Sequence, residues 1–223
     1  MTSDNSTRAV LFDFDGTLGQ SLNHWAEAYQ VSLQAHGIEV DLATTIDACF
    51  NRNLIDVTTR FQLQEPHRLG PMVWEKVKER MYLVETYPLV STTLQKLFSK
   101  EYRLGVVSNS RRGHISPVLD RWSVSHMFKA VVTIEDVSKG KPDPESIYKA
   151  LDQLAAPVSG AWMVGDSVVD IRAGNEAGVR TIAFSPPQNH PFVPTEALIA
   201  ANPSHIAYSY EEVLNIIEGL PAR

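Results

Sequence analysis

Five short apolar runs rich in β-branched residues punctuate this chain, at Ala9 to Phe12, Leu104 to Val107, Ala130 to Ile134, Trp162 to Val164 and Val179 to Phe184. Turn-forming or polar residues bound each one, so they read as buried strands of a parallel sheet. Between them apolar positions recur at helical spacing, first at Leu94, Leu97 and Phe98, then at Ile115, Val118, Leu119 and Trp122, then at Ile147, Ala150, Leu151 and Leu154. Strands alternating with amphipathic helices predict a doubly wound, Rossmann-like α/β sheet. Two helix starts carry capping chemistry. Asp143 before Pro144 suits an N-cap with proline at N1, and Ser209 with Glu212 suits a capping box ahead of Val213, Leu214, Ile216 and Ile217.

The rhythm breaks once. From Asp15 to the end of the second run at Val107 lie about 90 residues, where a βαβ unit needs roughly 30. Leu22, Trp25, Ala28 and Leu33, and later Val73, Val77, Met81 and Val84, keep helical spacing across that interval. The pattern predicts a small helical domain at residues 19–87, inserted into an α/β core of residues 1–18 and 88–223. Pro186, Pro187, Pro191 and Pro194 mark a loop late in the core.

Composition narrows the function classes. Lys and Arg total 20 against 26 Asp and Glu, a net charge of -6, which disfavours a nucleic-acid footprint or a polybasic membrane anchor. An anionic substrate therefore needs a local positive pocket. No apolar run approaches the roughly 18 to 20 residues of a membrane helix, and Met1 to Thr7 lacks the apolar core of a signal peptide, so a cytoplasmic location is expected. Cys49 is the single cysteine; an internal disulfide is impossible, and the residue reads as a small buried apolar group rather than a nucleophile.

The chemistry concentrates where the apolar runs end. Asp13 and Asp15 close the segment Ala9 to Leu18, two residues apart and so on one face of an extended chain. Two anions held together raise each other's pKa unless a cation or a shared proton lies between them, and a divalent metal is the economical explanation. Ligands of open parallel sheets collect at the carboxyl ends of the strands. Three further strand ends carry polar groups: Ser108, Asn109 and Ser110; the stretch Lys139 to Pro144; and Asp166 with Asp170 in Gly165 to Asp170.

Taken in order, these segments resemble the haloacid dehalogenase superfamily, whose phosphatase branch shows DxDGT, a strand-end Ser or Thr, a lysine in a KPxP context and GDxxxD. The position of the insertion resembles the helical cap of the phosphoglycolate phosphatase and β-phosphoglucomutase group. That resemblance implies a Mg²⁺-dependent enzyme acting on a small phosphorylated metabolite. Asp13 would be the nucleophile, forming an aspartyl phosphate. Asp15 would be general acid and then base, with its backbone carbonyl on the metal; at its ordinary pKa of about 3.9 it is ionised at neutral pH, so the acid role requires an upward shift. Asp166 would complete the metal site with Asp13, and Asp170 would orient a metal-bound water. Ser108 and Asn109 would contact the phosphoryl group, and Lys141 would neutralise it beside Asp13. Lys139 reads as a solvated surface charge. Gly16 permits the turn after Asp15, and Gly19 is placed to absorb a hinge motion.

For the leaving group, Asn51 and Arg52 in the segment Cys49 to Leu54 are candidates on the insertion, and Arg111 on the core. Gly19 and Gln20 replace the valine or isoleucine and aspartate commoner among relatives. The leading expectation is hydrolysis of phosphoglycolate or a sugar-phosphate-like monoester. A phosphosugar mutase of the β-phosphoglucomutase type uses the same aspartates and is the alternative. A 2-haloacid dehalogenase ranks lower because Asp15 is present, and so does a noncatalytic phosphate-binding module, because the polar set is complete. Oligomeric state has no signature in the sequence.

Overall fold

The computed structural model describes residues 8–50, 52 and 54–219. Its centre is one parallel sheet of β1 (Ala9–Phe12), β2 (Arg103–Val107), β3 (Phe128–Val132), β4 (Ala161–Gly165), β5 (Arg180–Phe184) and β6 (His205–Ala207), in the order β3-β2-β1-β4-β5-β6. β1 is central, with Phe12 opposite Val106 on one side and Val164 on the other. From β1 the chain winds outward through β2 and β3, then returns to β4 and winds the other way. The ends of β1, β2 and β4 therefore flank the crevice where ligands of such sheets bind.

Alternation along β1 sorts its side chains between two faces. Val10 and Phe12 join a cluster with α5 (Val90–Ser99), α6 (Arg112–Arg121) and α10 (Tyr210–Glu218), through residues such as Leu94, Ile115 and Val213. Ala9 and Leu11 face α7 (Glu145–Leu154) and α8 (Val168–Ala177), packing with Ile147, Leu151 and Ala173. Every β1 residue is fully buried, and each such Leu or Phe side chain contributes about 1.5–3 kcal/mol. Between β1 and α5 lie α1 (Leu22–Gln34), α2 (Leu42–Cys49), α3 (Leu54–Arg60) and α4 (Pro66–Lys78). They bury Leu33, Val57, Leu69, Val73 and Val77. The two segments joining these helices to the sheet run side by side, with Gln20 N–H donating to Glu85 O and Tyr87 N–H to Leu18 O.

Several boundaries differ from the sequence pattern. β3 ends at Val132 because the Thr133 N–H and hydroxyl both donate to Asp136, capping a 3₁₀ turn that begins at Ile134. α7 starts at Glu145, although the Asp143 carboxylate still accepts its N–H at 3.0 Å. Ser209 accepts Glu212 N–H at 3.2 Å, but Glu212 takes Tyr208 N–H instead of closing the box on Ser209. Phe98, in phase with the α5 core positions, is 47% exposed. β6 and the short α9 (Thr195–Ala200) have no counterpart in the pattern. Among the described residues no helix is long and apolar enough to cross a membrane.

Candidate active site

Asp13, Asp166, Asp170 and Lys141 converge beneath a cleft of about 580 Å³ at the carboxyl ends of β1 and β4. Sheet geometry sets them there. Asp13 extends the β1–β4 ladder, its N–H donating to Val164 O at 2.9 Å, and Asp166 directly follows β4. Gly16, at φ +74°, turns the chain away; a Cβ on it would lie 2.1 Å from Asp166 Oδ2, so only glycine admits this approach.

Lys141 ties the acids together. Its ammonium lies 2.8 Å from Asp13 Oδ1 and donates to Asp170 Oδ1 at 2.6 Å and Val107 O at 2.9 Å. Burial works against the charged ammonium, but Asp13 and Asp170 outweigh it and hold Lys141 above the ordinary lysine range. The remaining Asp170 oxygen accepts the Ser167 N–H and hydroxyl, closing the capping box of α8. Asp170 thus holds Lys141 and the helix start. Asn109 clasps the same segment, accepting Lys141 N–H at 2.8 Å and donating to Lys141 O at 2.9 Å. Its side-chain amide thus holds Lys141, and the residue also lines the cleft.

Electrostatics leaves room for a cation. The carboxylates of Asp13, Asp166 and Asp170 each offer an oxygen within 4.8 Å of the others, all three are buried, and Lys141 supplies one opposing charge. In their ionised forms the set carries two uncompensated negative charges. Burial, then the charge of Asp170, pushes Asp13 up to about 7 despite Lys141. Burial, then Asp170 and Asp13, likewise holds Asp166 well above its ordinary value. Asp13 Oδ1 is buried without a hydrogen bond, since Lys141 approaches it outside hydrogen-bond alignment. Hard oxygen donors and a net charge near that of a divalent ion together fit Mg²⁺.

Asp15 points into a different set of partners. One oxygen accepts the Ser21 hydroxyl at 2.6 Å and the Trp25 indole N–H at 2.7 Å; the other accepts the Ser110 hydroxyl. Core and insertion both hold it. Ser108 is buried, and its hydroxyl accepts Ser110 N–H at 3.1 Å. Trp25, Tyr29, Phe50 and Arg52 line the cleft from the insertion. The Arg52 Nε–H donates to Asp47 O, and Asn51 lies outside the described residues. Arg111 is not among the lining residues; its guanidinium sits 4.9 Å over the Trp74 ring, drawn by the aromatic face. Arg112 pairs with Asp136, and Lys139 is 76% exposed beside Asp143. Cys49 is buried, and that burial pushes its thiol up to about 12, unsuited to nucleophilic attack.

Ser21, Trp25, Ser110 and Asn189 are among the contacts that sequence reasoning missed. Ser110 had a signal, as one of three polar residues ending β2. Trp25 reads in the sequence as one more apolar helix position, and Asn189 lies between prolines that mark a loop without a signal of its own.

Residues 10–184 match the family model of haloacid dehalogenase-like hydrolases. The chain is 27% identical over 219 residues to the pyrophosphatase PpaX of Oceanobacillus iheyensis, covering 95% of this chain and 97% of that one. It is 31% identical over 179 residues to the phosphoglycolate phosphatase of Aquifex aeolicus, covering 78% and 83%. The crystal structure of a predicted phosphoglycolate phosphatase from Haemophilus somnus shares the fold, with a TM-score of 0.81 at 21% identity over 94% of this chain and 97% of that one. The chain belongs to the haloacid dehalogenase-like hydrolase family and is an enzyme of its phosphatase branch.

Proposed function

We propose that this enzyme is a Mg²⁺-dependent phosphatase of small phosphomonoesters that works through an aspartyl-phosphate intermediate, with residues 19–87 acting as a cap over the core. The observation that carries the reading is the buried set Asp13, Asp166, Asp170 and Lys141, of which all but Asp170 line the same cleft as Asp15. Asp13, Asp166 and the Asp15 backbone carbonyl would hold Mg²⁺, which when bound neutralises charge on the phosphoryl oxygens and keeps the carboxylates ionised.

The protein groups divide the remaining work. An Asp13 carboxylate oxygen attacks phosphorus, and the bond from phosphorus to the leaving oxygen breaks. Asp15 gives a proton to that oxygen. In the second step Asp15 takes a proton from water as the water oxygen attacks phosphorus, freeing phosphate and restoring Asp13. Lys141 holds Asp13 and balances charge, Asp170 and Asn109 hold Lys141, and Ser108 turns its hydroxyl hydrogen to the phosphoryl group.

Substrate choice falls to the cap side of the cleft. Phosphoglycolate and pyrophosphate, which the names of two relatives indicate, each carry a second anionic group beside the scissile phosphoryl. Among the described residues Arg52 and Lys141 are the cations lining the cleft, and Arg52 lies on the cap side, so it receives that group. Trp25, Tyr29 and Phe50 cover the carbon portion. Phosphate release from a metabolite panel with and without Mg²⁺ tests the proposal. Asp13→Asn is expected to abolish turnover, and undiminished release by that variant would refute the nucleophile assignment.

A further inference from the structure

We infer that Asn189, in the loop after β5, is a positioning residue that fixes the carboxylate of Asp166 for metal binding and links it to the cap junction through Tyr87. The inference rests on the Mg²⁺ reading above and adds to it a residue that contacts neither metal nor substrate.

Asn189 is 2% exposed, at the end of the 3₁₀ turn Pro187–Asn189. Its amide makes three hydrogen bonds whose direction is fixed by chemistry. Nδ2 donates to Gly16 O at 2.8 Å and to Asp166 Oδ2 at 3.3 Å, while Oδ1 accepts the Tyr87 hydroxyl. A carbonyl and a carboxylate oxygen offer only acceptors, so the NH₂ end must face them and the oxygen end must face the phenol. No other neutral side chain of this length presents two donors on one side and an acceptor on the other at a single branch point. Aspartate would set a carboxylate against two acceptors, and leucine would leave all three buried partners unsatisfied.

Asp166 is gripped from both sides. Thr17, in the loop after β1, donates its hydroxyl to Asp166 Oδ1 at 3.0 Å, while Asn189 takes Oδ2. Each oxygen keeps acceptor capacity for a cation, but the carboxylate plane cannot turn without losing a bond. The Thr17 side is itself held, since the Tyr210 hydroxyl donates to Thr17 O at 3.1 Å. On the Asn189 side the support reaches the cap junction. Tyr87 N–H donates to Leu18 O, and the Tyr87 ring packs edge-on against Phe184 of β5 at 5.1 Å. Asn189 thus joins three segments distant in sequence: the turn after Asp15, the loop after β4 and the chain returning from the cap.

Loss of a hydrogen bond that orients a metal ligand typically weakens metal binding about 10- to 100-fold. Mg²⁺ affinity measured by calorimetry, with Mn²⁺ titration by electron paramagnetic resonance as a second probe, tests this on wild type, Asn189→Ala and Tyr87→Phe. Asn189→Ala is expected to bind about 10- to 100-fold more weakly. Its kcat should recover at saturating Mg²⁺ with the substrate KM unchanged, a pattern that general destabilisation does not produce. Tyr87→Phe keeps the ring packing and removes only the hydroxyl, so it should fall between the two and decides the matter if Asn189→Ala does not fold. Wild-type affinity in the variants that fold would overturn the inference while leaving the Mg²⁺ reading intact. A wild-type protein that binds neither ion would overturn both.

Discussion

Replacing Lys141 with methionine keeps most of the side-chain volume and removes the one cation in a buried set of three acids. Lys141 holds Asp13, Asp170 and Val107 O at 2.8, 2.6 and 2.9 Å, all in the interior. Removing one partner of a buried ion pair costs about 3–5 kcal/mol, because the other charge is left uncompensated. For a chain of this size that is roughly 6–20 °C in Tm, at about 2–4 °C per kcal/mol. The loss should depend on pH and on metal. At pH 8 in EDTA Asp13, pushed up to about 7, loses its proton with no Lys141 beside it and the penalty is largest; at pH 5.5 it keeps that proton and the penalty shrinks. Mg²⁺ at about 100 times its Kd would restore near 2.7 kcal/mol by mass action. Thermal and urea unfolding of Lys141→Met and wild type, at both pH values with EDTA or Mg²⁺, measure these differences. A Tm loss that is the same at pH 5.5 and 8 would show that Lys141 acts by packing alone and refute the charge-balance reasoning.

The metal-free wild type should carry its own pH signature. Asp13 is pushed from 3.8 up to about 7 by burial and Asp170, so the folded state keeps a proton there that the unfolded state releases; this contribution to stability is present near pH 4 and lost as pH rises to about 7. The wild-type minus Asp13→Asn difference in urea stability, taken in EDTA, should fall across that window, and a rise would count against it. Trp25→Phe removes the indole donor to Asp15 while retaining an aromatic ring against Trp74. Hydrogen bonds to charged groups are worth about 1.5–3 kcal/mol, so kcat should drop by about tenfold or more, and an unchanged kcat would show that Trp25 does not position Asp15. Gly16→Ala would put a Cβ 2.1 Å from Asp166 Oδ2 at φ +74°, so that variant should lose both Tm and Mg²⁺ affinity by calorimetry; wild-type affinity would be the contrary result.

Five of the six strands were legible because a parallel strand covered on both faces is apolar at nearly every position. Leu11 and Val10 are both fully buried though they point to opposite sides of the sheet. β6 escaped because it spans three residues at the sheet edge, with His205 exposed and Ile206 half-buried. The end of β3 was misjudged for a local reason, since Thr133 and Asp136 form a cap whose cost in strand length no apolar pattern reports. In the site, the spacing of Asp13 and Asp15 and of Asp166 and Asp170 is a local property of the chain. Some of the partners of this site are not local, although Ser21 and Trp25 lie close to Asp15 in sequence. Ser110 reaches Asp15 from 95 residues away, and Asn189 reaches Gly16 from 173, so only the folded topology brings them together.

The same contrast explains why the reaction is more legible than the substrate. Asp13, Lys141, Asp166 and Asp170 constrain one another through charge, and loss of Lys141 leaves the buried acids without a counter-charge. Trp25, Tyr29, Phe50 and Arg52 face open cleft, where many side chains satisfy the fold. Asp15 belongs to both regimes, because Ser110 of the core and Trp25 of the insertion grip different oxygens of its carboxylate. If Asp15 is the proton donor proposed above, a leaving group that leaves Trp25 on Asp15 should react faster than one that displaces it, so discrimination among substrates should appear in kcat more than in KM.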